Sequence, residues 1–132
     1  PQGVEDTKPA AAPMQVVKKN ATARIVVTEG PYTGEEFFLG KGGSKKILFG
    51  TKPSTKAKDV DVIALPQAKN MKANHARLDF AGNKHCMKIN VTNVSVGDTL
   101  INIDPVSKDR VAFSGQNITM GDAVMRVESL SS

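Results

Sequence analysis

From Thr22 onward the apolar residues come in short runs, β-branched or alternating with polar ones. The runs are separated by turn residues, and none is sustained at the 3.6-residue spacing of an amphipathic helix. A chain patterned this way folds as strands. The runs predict strands at Ala23–Thr28, Glu36–Leu39, Lys46–Phe49, Val60–Leu65, Ala76–Phe80, Cys86–Val91, Thr99–Ile103, Val111–Phe113, Asn117–Thr119 and Ala123–Leu130. Between them, Gly30-Pro31, Lys52-Pro53-Ser54, Gly82-Asn83, Asp104-Pro105 and Ser114-Gly115 supply residues that pre-set or permit turn dihedrals. Gly40-Lys41-Gly42-Gly43 reads as a hairpin turn, and Gly82-Asn83 as a second. Alternation marks an inner face: Ala76, Leu78 and Phe80 oppose Arg77 and Asp79, and Met87, Ile89 and Val91 oppose Lys88 and Asn90. Many short strands with frequent turns imply an all-β, two-sheet sandwich.

Composition narrows the function. At 132 residues, 39% hydrophobic and 23% charged, there is material for one core, placed at residues 21–132. Residues 1–20 are rich in Pro, Ala and Lys and read as an extended polar arm, expected to lie on a partner or against the domain. The chain opens on Pro1, which fits either a processed precursor, for instance of a plastid stroma or mitochondrial matrix, or a start chosen by design. No apolar run approaches the roughly 18 residues needed to cross a bilayer as a helix. The single cysteine, Cys86, cannot close an internal disulfide and suits a reducing compartment. A net charge of +5 favours an acidic partner.

Catalytic chemistry finds no footing. His85 and Cys86 are adjacent on a predicted strand, so their side chains leave opposite faces and cannot act as base and nucleophile for each other. Gly40-Lys41-Gly42-Gly43-Ser44 lacks the Gly-Lys-Ser/Thr ending of a phosphate loop and precedes no helix. No metal or other cofactor is expected, because Cys and His are too few for paired ligands. Asn20, Asn90, Asn93 and Asn117 each open an Asn-x-Ser/Thr triplet, and two of these fall within predicted strands, so they read as chance. One tyrosine and no tryptophan argue against nucleic acid, which needs aromatic platforms among the basic residues.

The most informative stretch runs from Ile47 to Val127: Leu48-Phe49-Gly50, then Asp59 to Leu65, Asn74-His75-Ala76, Asn93 to Asn102, and Gly121-Asp122. In order and spacing these segments resemble the forkhead-associated (FHA) family, whose pattern is Gly-Arg after a strand, Ser-x-x-His-Ala, Ser-x-Asn-Gly-Thr-x-x-Asn and a late Gly-Asp. The resemblance implies an eleven-stranded β-sandwich that binds phosphothreonine peptides on loops at one end. It carries over Gly50, His75, Ser95, Thr99, Asn102, Gly121 and Asp122, with Gly50, His75 and Asn102 in structural roles. It breaks at the peptide-gripping positions: Thr51 stands where the family has arginine, Lys72 where it has the phosphate-binding serine, and Gly97 where it has asparagine, followed by Asp98.

Arginine grips phosphate as a bidentate fork and serine adds a short directed bond, whereas lysine is a mobile point charge. Positive charge remains on the implied loops, at Lys52, Lys56 and Lys58 and at Lys69 and Lys72. Such an end is either a solvated surface or an edge that attracts anions. The resulting expectation is a non-enzymatic interaction module with a degenerate phosphothreonine site, serving as an accessory or structural subunit of a larger complex. Its candidate binding residues are Thr51, Lys52, Lys56, Lys69, Lys72, Ser95 and Gly97. The alternative is a working phosphothreonine reader in which Lys52 and Lys72 replace the usual groups.

Overall fold

The computed structural model describes residues 21–82, 87–94 and 99–130. They form eleven strands: β1 (Ala23–Glu29), β2 (Glu36–Leu39), β3 (Lys46–Gly50), β4 (Val60–Ala64), β5 (Ala76–Phe80), β6 (Ile89–Asn93), β7 (Thr99–Ile101), β8 (Asp104–Pro105), β9 (Asp109–Ala112), β10 (Asn117–Met120) and β11 (Ala123–Ser129). Six make one sheet in the order β2-β1-β11-β10-β7-β8, and five make the other in the order β4-β3-β5-β6-β9. All neighbours are antiparallel except β3 and β4, which run parallel with Lys46 beside Val60 and Gly50 beside Ala64. The described residues contain no helix, and so none long and apolar enough to cross a membrane.

The period-two pattern explains why these segments pair this way. Ala23, Ile25 and Val27 of β1 are buried while Arg24 and Val26 stay partly exposed, and Ala123, Met125 and Val127 of β11 repeat the pattern opposite them. From the other sheet Ile47 and Phe49, Ile63, Leu78, and Ile89 and Val91 complete the core. Phe37 and Phe49 meet edge to face, with ring centroids 5.2 Å apart, a contact preferred by the ring quadrupoles. Arg24 bridges Glu36 and Glu128 across three adjacent strands. Its bond to Glu128 raises the guanidinium pKa above the ordinary value. About a third of the side chain is open to solvent, so the ion pair orders the strands while adding roughly 0–1 kcal/mol.

Several expectations require correction. Gly40 to Gly43 do not turn a hairpin: β2 and β3 belong to different sheets, and this loop carries the chain from one to the other. The predicted strand Thr99–Ile103 stops at Ile101, because Asn102 takes a left-handed φ of 55° and turns the chain, leaving Ile103 87% exposed. Asp104-Pro105, expected to be a turn, is therefore β8. Proline is tolerated there because β8 is an edge strand. The strand predicted at Val111–Phe113 lies at Asp109–Ala112, paired to β6 with Ala112 beside Ile89. Of the predicted strand Cys86–Val91, Cys86 lies outside the described residues and the strand runs from Ile89 to Asn93. The β5 and β6 strands are paired as the Gly82-Asn83 hairpin requires, although Asn83 and the polar arm 1–20 also lie outside the described residues.

Candidate functional site

Strand direction sorts the loops between the two ends of the sandwich. The C-terminal ends of β1, β3, β4, β6 and β10 point one way, together with the starts of β2, β5, β7 and β11. That end therefore gathers the connection out of β3, the connection from Leu65 to His75, the connection leaving β6, and the turn at Gly121-Asp122.

These segments are tied to one another mainly through their backbones. Thr51 N–H donates to the carbonyl of Lys72 at 3.0 Å, and Lys52 N–H to that of Ala73 at 3.2 Å. Ser54 N–H donates to Asn74 Oδ1 at 2.9 Å. The approach is close enough that a Cβ on Gly50 would stand 1.8 Å from the Ala73 carbonyl oxygen, so only glycine fits. From the other side Asp122 holds Lys69 twice. Its carboxylate accepts the Lys69 N–H at 2.9 Å and its own N–H donates to the Lys69 carbonyl at 3.0 Å. Gly121, at φ +62°, lies so near that a Cβ would sit 2.6 Å from that carbonyl oxygen.

His75 sits at the centre of this bracing and is fully buried. Its Nδ1 accepts the Lys72 N–H at 3.1 Å, its N–H donates to Phe49 O at 2.9 Å, and its carbonyl accepts from Val94 at 3.0 Å. An accepting Nδ1 carries no proton, which places the ring proton of the neutral imidazole on Nε2. Replacing His75 with phenylalanine keeps the ring but leaves the Lys72 N–H without its acceptor. We expect a loss of about 1–3 kcal/mol in chemical denaturation, together with faster hydrogen exchange at Lys72.

The candidate residues do not all gather in one place. Lys52, Lys69 and Lys72 are exposed at the braced end, and among the described residues none is paired with a carboxylate. Thr51 is half-buried beside them. The connection after β3 returns along the sandwich to the start of β4, where Asp59 pairs with Lys46 at 3.4 Å. Lys58 therefore belongs to the opposite end, and Lys56 lies on the way. Asn102 is also at the opposite end, where it accepts from Asn117 N–H at 3.0 Å and donates its own N–H to the Asn117 carbonyl at 2.8 Å. Ser95 and Gly97 lie outside the described residues. Among the described residues no three His, Cys, Asp or Glu side chains cluster as metal ligands.

Two further supports went unread in the sequence. Tyr32, fully buried, accepts the Gln67 N–H on its hydroxyl at 2.9 Å and so holds the segment after β4 from beneath. Asn74 reaches across to Ser54. A lone tyrosine in an otherwise turn-rich stretch was the available signal for the first, and the asparagine directly before His75 for the second.

The order of the eleven strands, the parallel β3–β4 pair and the braced loops at one end define the architecture. The fold is that of a forkhead-associated domain. The FHA domain of the CT664 protein from Chlamydia trachomatis superposes with a TM-score of 0.65 at 15% identity, covering 84% of this chain and 100% of that one. An FHA domain solved in an analysis of phosphothreonine-dependent interactions gives 0.60 at 15% identity, covering 84% and 99%. The cytoplasmic domain of the T3SS sorting platform protein PscD from P. aeruginosa gives 0.59 at 14% identity, covering 84% and 82%. No family model matches the chain, and no curated relative matches it.

Proposed function

We propose that this FHA-like sandwich is a non-enzymatic interaction module that docks through Lys52, Lys69 and Lys72 on an acidic surface of a protein partner, as an accessory or structural subunit of a larger assembly. The observation that carries the reading is the pairing of a rigid frame with undirected charge. Gly50, His75 and Asp122 brace the loops, and Lys52, Lys69 and Lys72 are offered there with no carboxylate partner among the described residues. A rigid surface of point charges attracts an acidic patch without demanding one phosphate geometry. The FHA neighbour studied for phosphothreonine dependence and the neighbour from a sorting platform support, respectively, a peptide-facing end and a place in an assembly.

A titration decides the chemistry. Acidic peptides, with and without a single phosphothreonine, are compared by chemical-shift perturbation. We expect both to perturb Lys52, Lys69 and Lys72, with affinities within about threefold of each other and falling steeply with salt. Micromolar binding that requires the phosphate and disappears in Lys52→Ala and Lys72→Ala would establish the phosphothreonine reader instead. Native purification that yields only a lone monomer would remove the subunit role.

A further inference from the structure

The opposite end of the sandwich carries a second cationic feature. The crossover loop from β2 to β3 is closed by three backbone bonds: Gly40 N–H to Ser44 O at 2.9 Å, Gly43 N–H to Gly40 O at 2.8 Å, and Ser44 N–H to Phe38 O at 2.9 Å. The Ser44 hydroxyl donates to the Asp61 carboxylate. Gly40 and Gly42 take φ of +92° and +84°. A Cβ on Gly40 would stand 2.7 Å from Thr22 and 3.2 Å from the Phe80 ring, and one on Gly43 would stand 2.6 Å from the Phe38 carbonyl oxygen. The loop is thus fixed against the domain, and Phe80 N–H adds a bond to Lys45 O at 2.8 Å.

This loop and Phe80 enclose an open cleft of about 540 Å³, lined by the glycines, Lys41, Lys45, Lys46 and the half-buried Phe80 ring. Lys46 is neutralised by Asp59. Lys41 and Lys45 are exposed, and among the described residues neither is paired with a carboxylate. The volume falls in the range of about 300–1,000 Å³ typical of small-molecule sites and is far more than a bare phosphate needs. The one hydroxyl in the loop is already engaged by Asp61, and there is no arginine, so charge alone gives little directional grip. A partly exposed aromatic residue lining the same cleft as two lysines instead suits a ligand that joins an apolar ring to phosphate.

The geometry points to a small-ligand site in this cleft for a nucleoside phosphate, with the base against Phe80 and the phosphates between Lys41 and Lys45. The site is separate from the loop surface proposed above and does not depend on it. ADP, adenosine and inorganic pyrophosphate are titrated in turn into the full chain without added metal and followed by amide chemical shifts and calorimetry. ADP is expected to perturb Lys41 to Lys46 and Phe80, and to bind at least about tenfold more tightly than adenosine or pyrophosphate. The Lys41→Ala/Lys45→Ala double variant should weaken ADP about tenfold or more. Phe80→Leu, which keeps an apolar side chain against the core, should weaken it about threefold to tenfold. Lys72→Ala should leave it unchanged. The proposal is overturned if millimolar ADP causes no perturbation, if pyrophosphate binds as tightly as ADP, if the double variant keeps wild-type affinity, or if the perturbations map to Lys52, Lys69 and Lys72.

Discussion

Gly50→Ala is expected to destabilise the protein by about 3 kcal/mol or more, lowering Tm by roughly 10 °C. Gly50 is not among the glycines with a positive φ, so its backbone conformation is open to any residue. The obstacle is steric: the new methyl would lie 1.8 Å from the Ala73 carbonyl oxygen and 2.6 Å from the Ala73 carbonyl carbon. Neither side can yield cheaply. Gly50 is held in register beside Ala64, its carbonyl accepts from Leu65 at 2.8 Å, and the neighbouring Phe49 is paired with Ala76. The segment from Lys72 to Asn74 must therefore move, and with it go the bonds from Thr51 and Lys52 and the seat of the His75 ring. Shift changes should centre on residues 51–54 and 70–75, while the β1–β11 pair stays native. A variant with wild-type stability would show that the loops are not braced as described.

Reversing charge at the same end should have the opposite profile. The triple substitution Lys52→Glu, Lys69→Glu and Lys72→Glu touches three exposed side chains with no carboxylate partners among the described residues. Stability should stay within about 0.5 kcal/mol per site. Affinity for an acidic peptide should fall by at least about a hundredfold at low ionic strength, because attraction becomes repulsion at three points. The loss should shrink as salt shortens the Debye length to about 8 Å near 0.15 M. The corresponding reversal at Lys56 and Lys58, which sit along the return to β4, should change binding far less. Equal losses from both sets would mean that net charge alone, and not the braced surface, draws the partner.

The alternation in β1, β5 and β11 was legible because burial on one face of a strand imposes a period of two, and that period survives in a single sequence. The segments around Gly50, His75 and Gly121-Asp122 were legible only through the family resemblance; the close backbone approach and buried hydrogen bonds that restrict residue type there emerge from the fold. The Gly40 to Gly43 loop was misread because a glycine-rich bend looks alike whether it joins partners in one sheet or carries the chain between two; only long-range pairing decides. Asp104-Pro105 was misread for the same reason, since a two-residue edge strand exists only by virtue of β7 beside it.

The sequence by itself determined an all-β sandwich, its inner faces, and an excess of lysine on the loops, because hydrophobic period and charge are local properties. Tertiary structure alone decided which lysines share a surface. The parallel β3–β4 pair forces the chain to return along the sandwich, which separates Lys58 from Lys52, while backbone contacts between distant loops hold the Lys72 segment against Thr51 and Lys52 and the Lys69 backbone against Asp122.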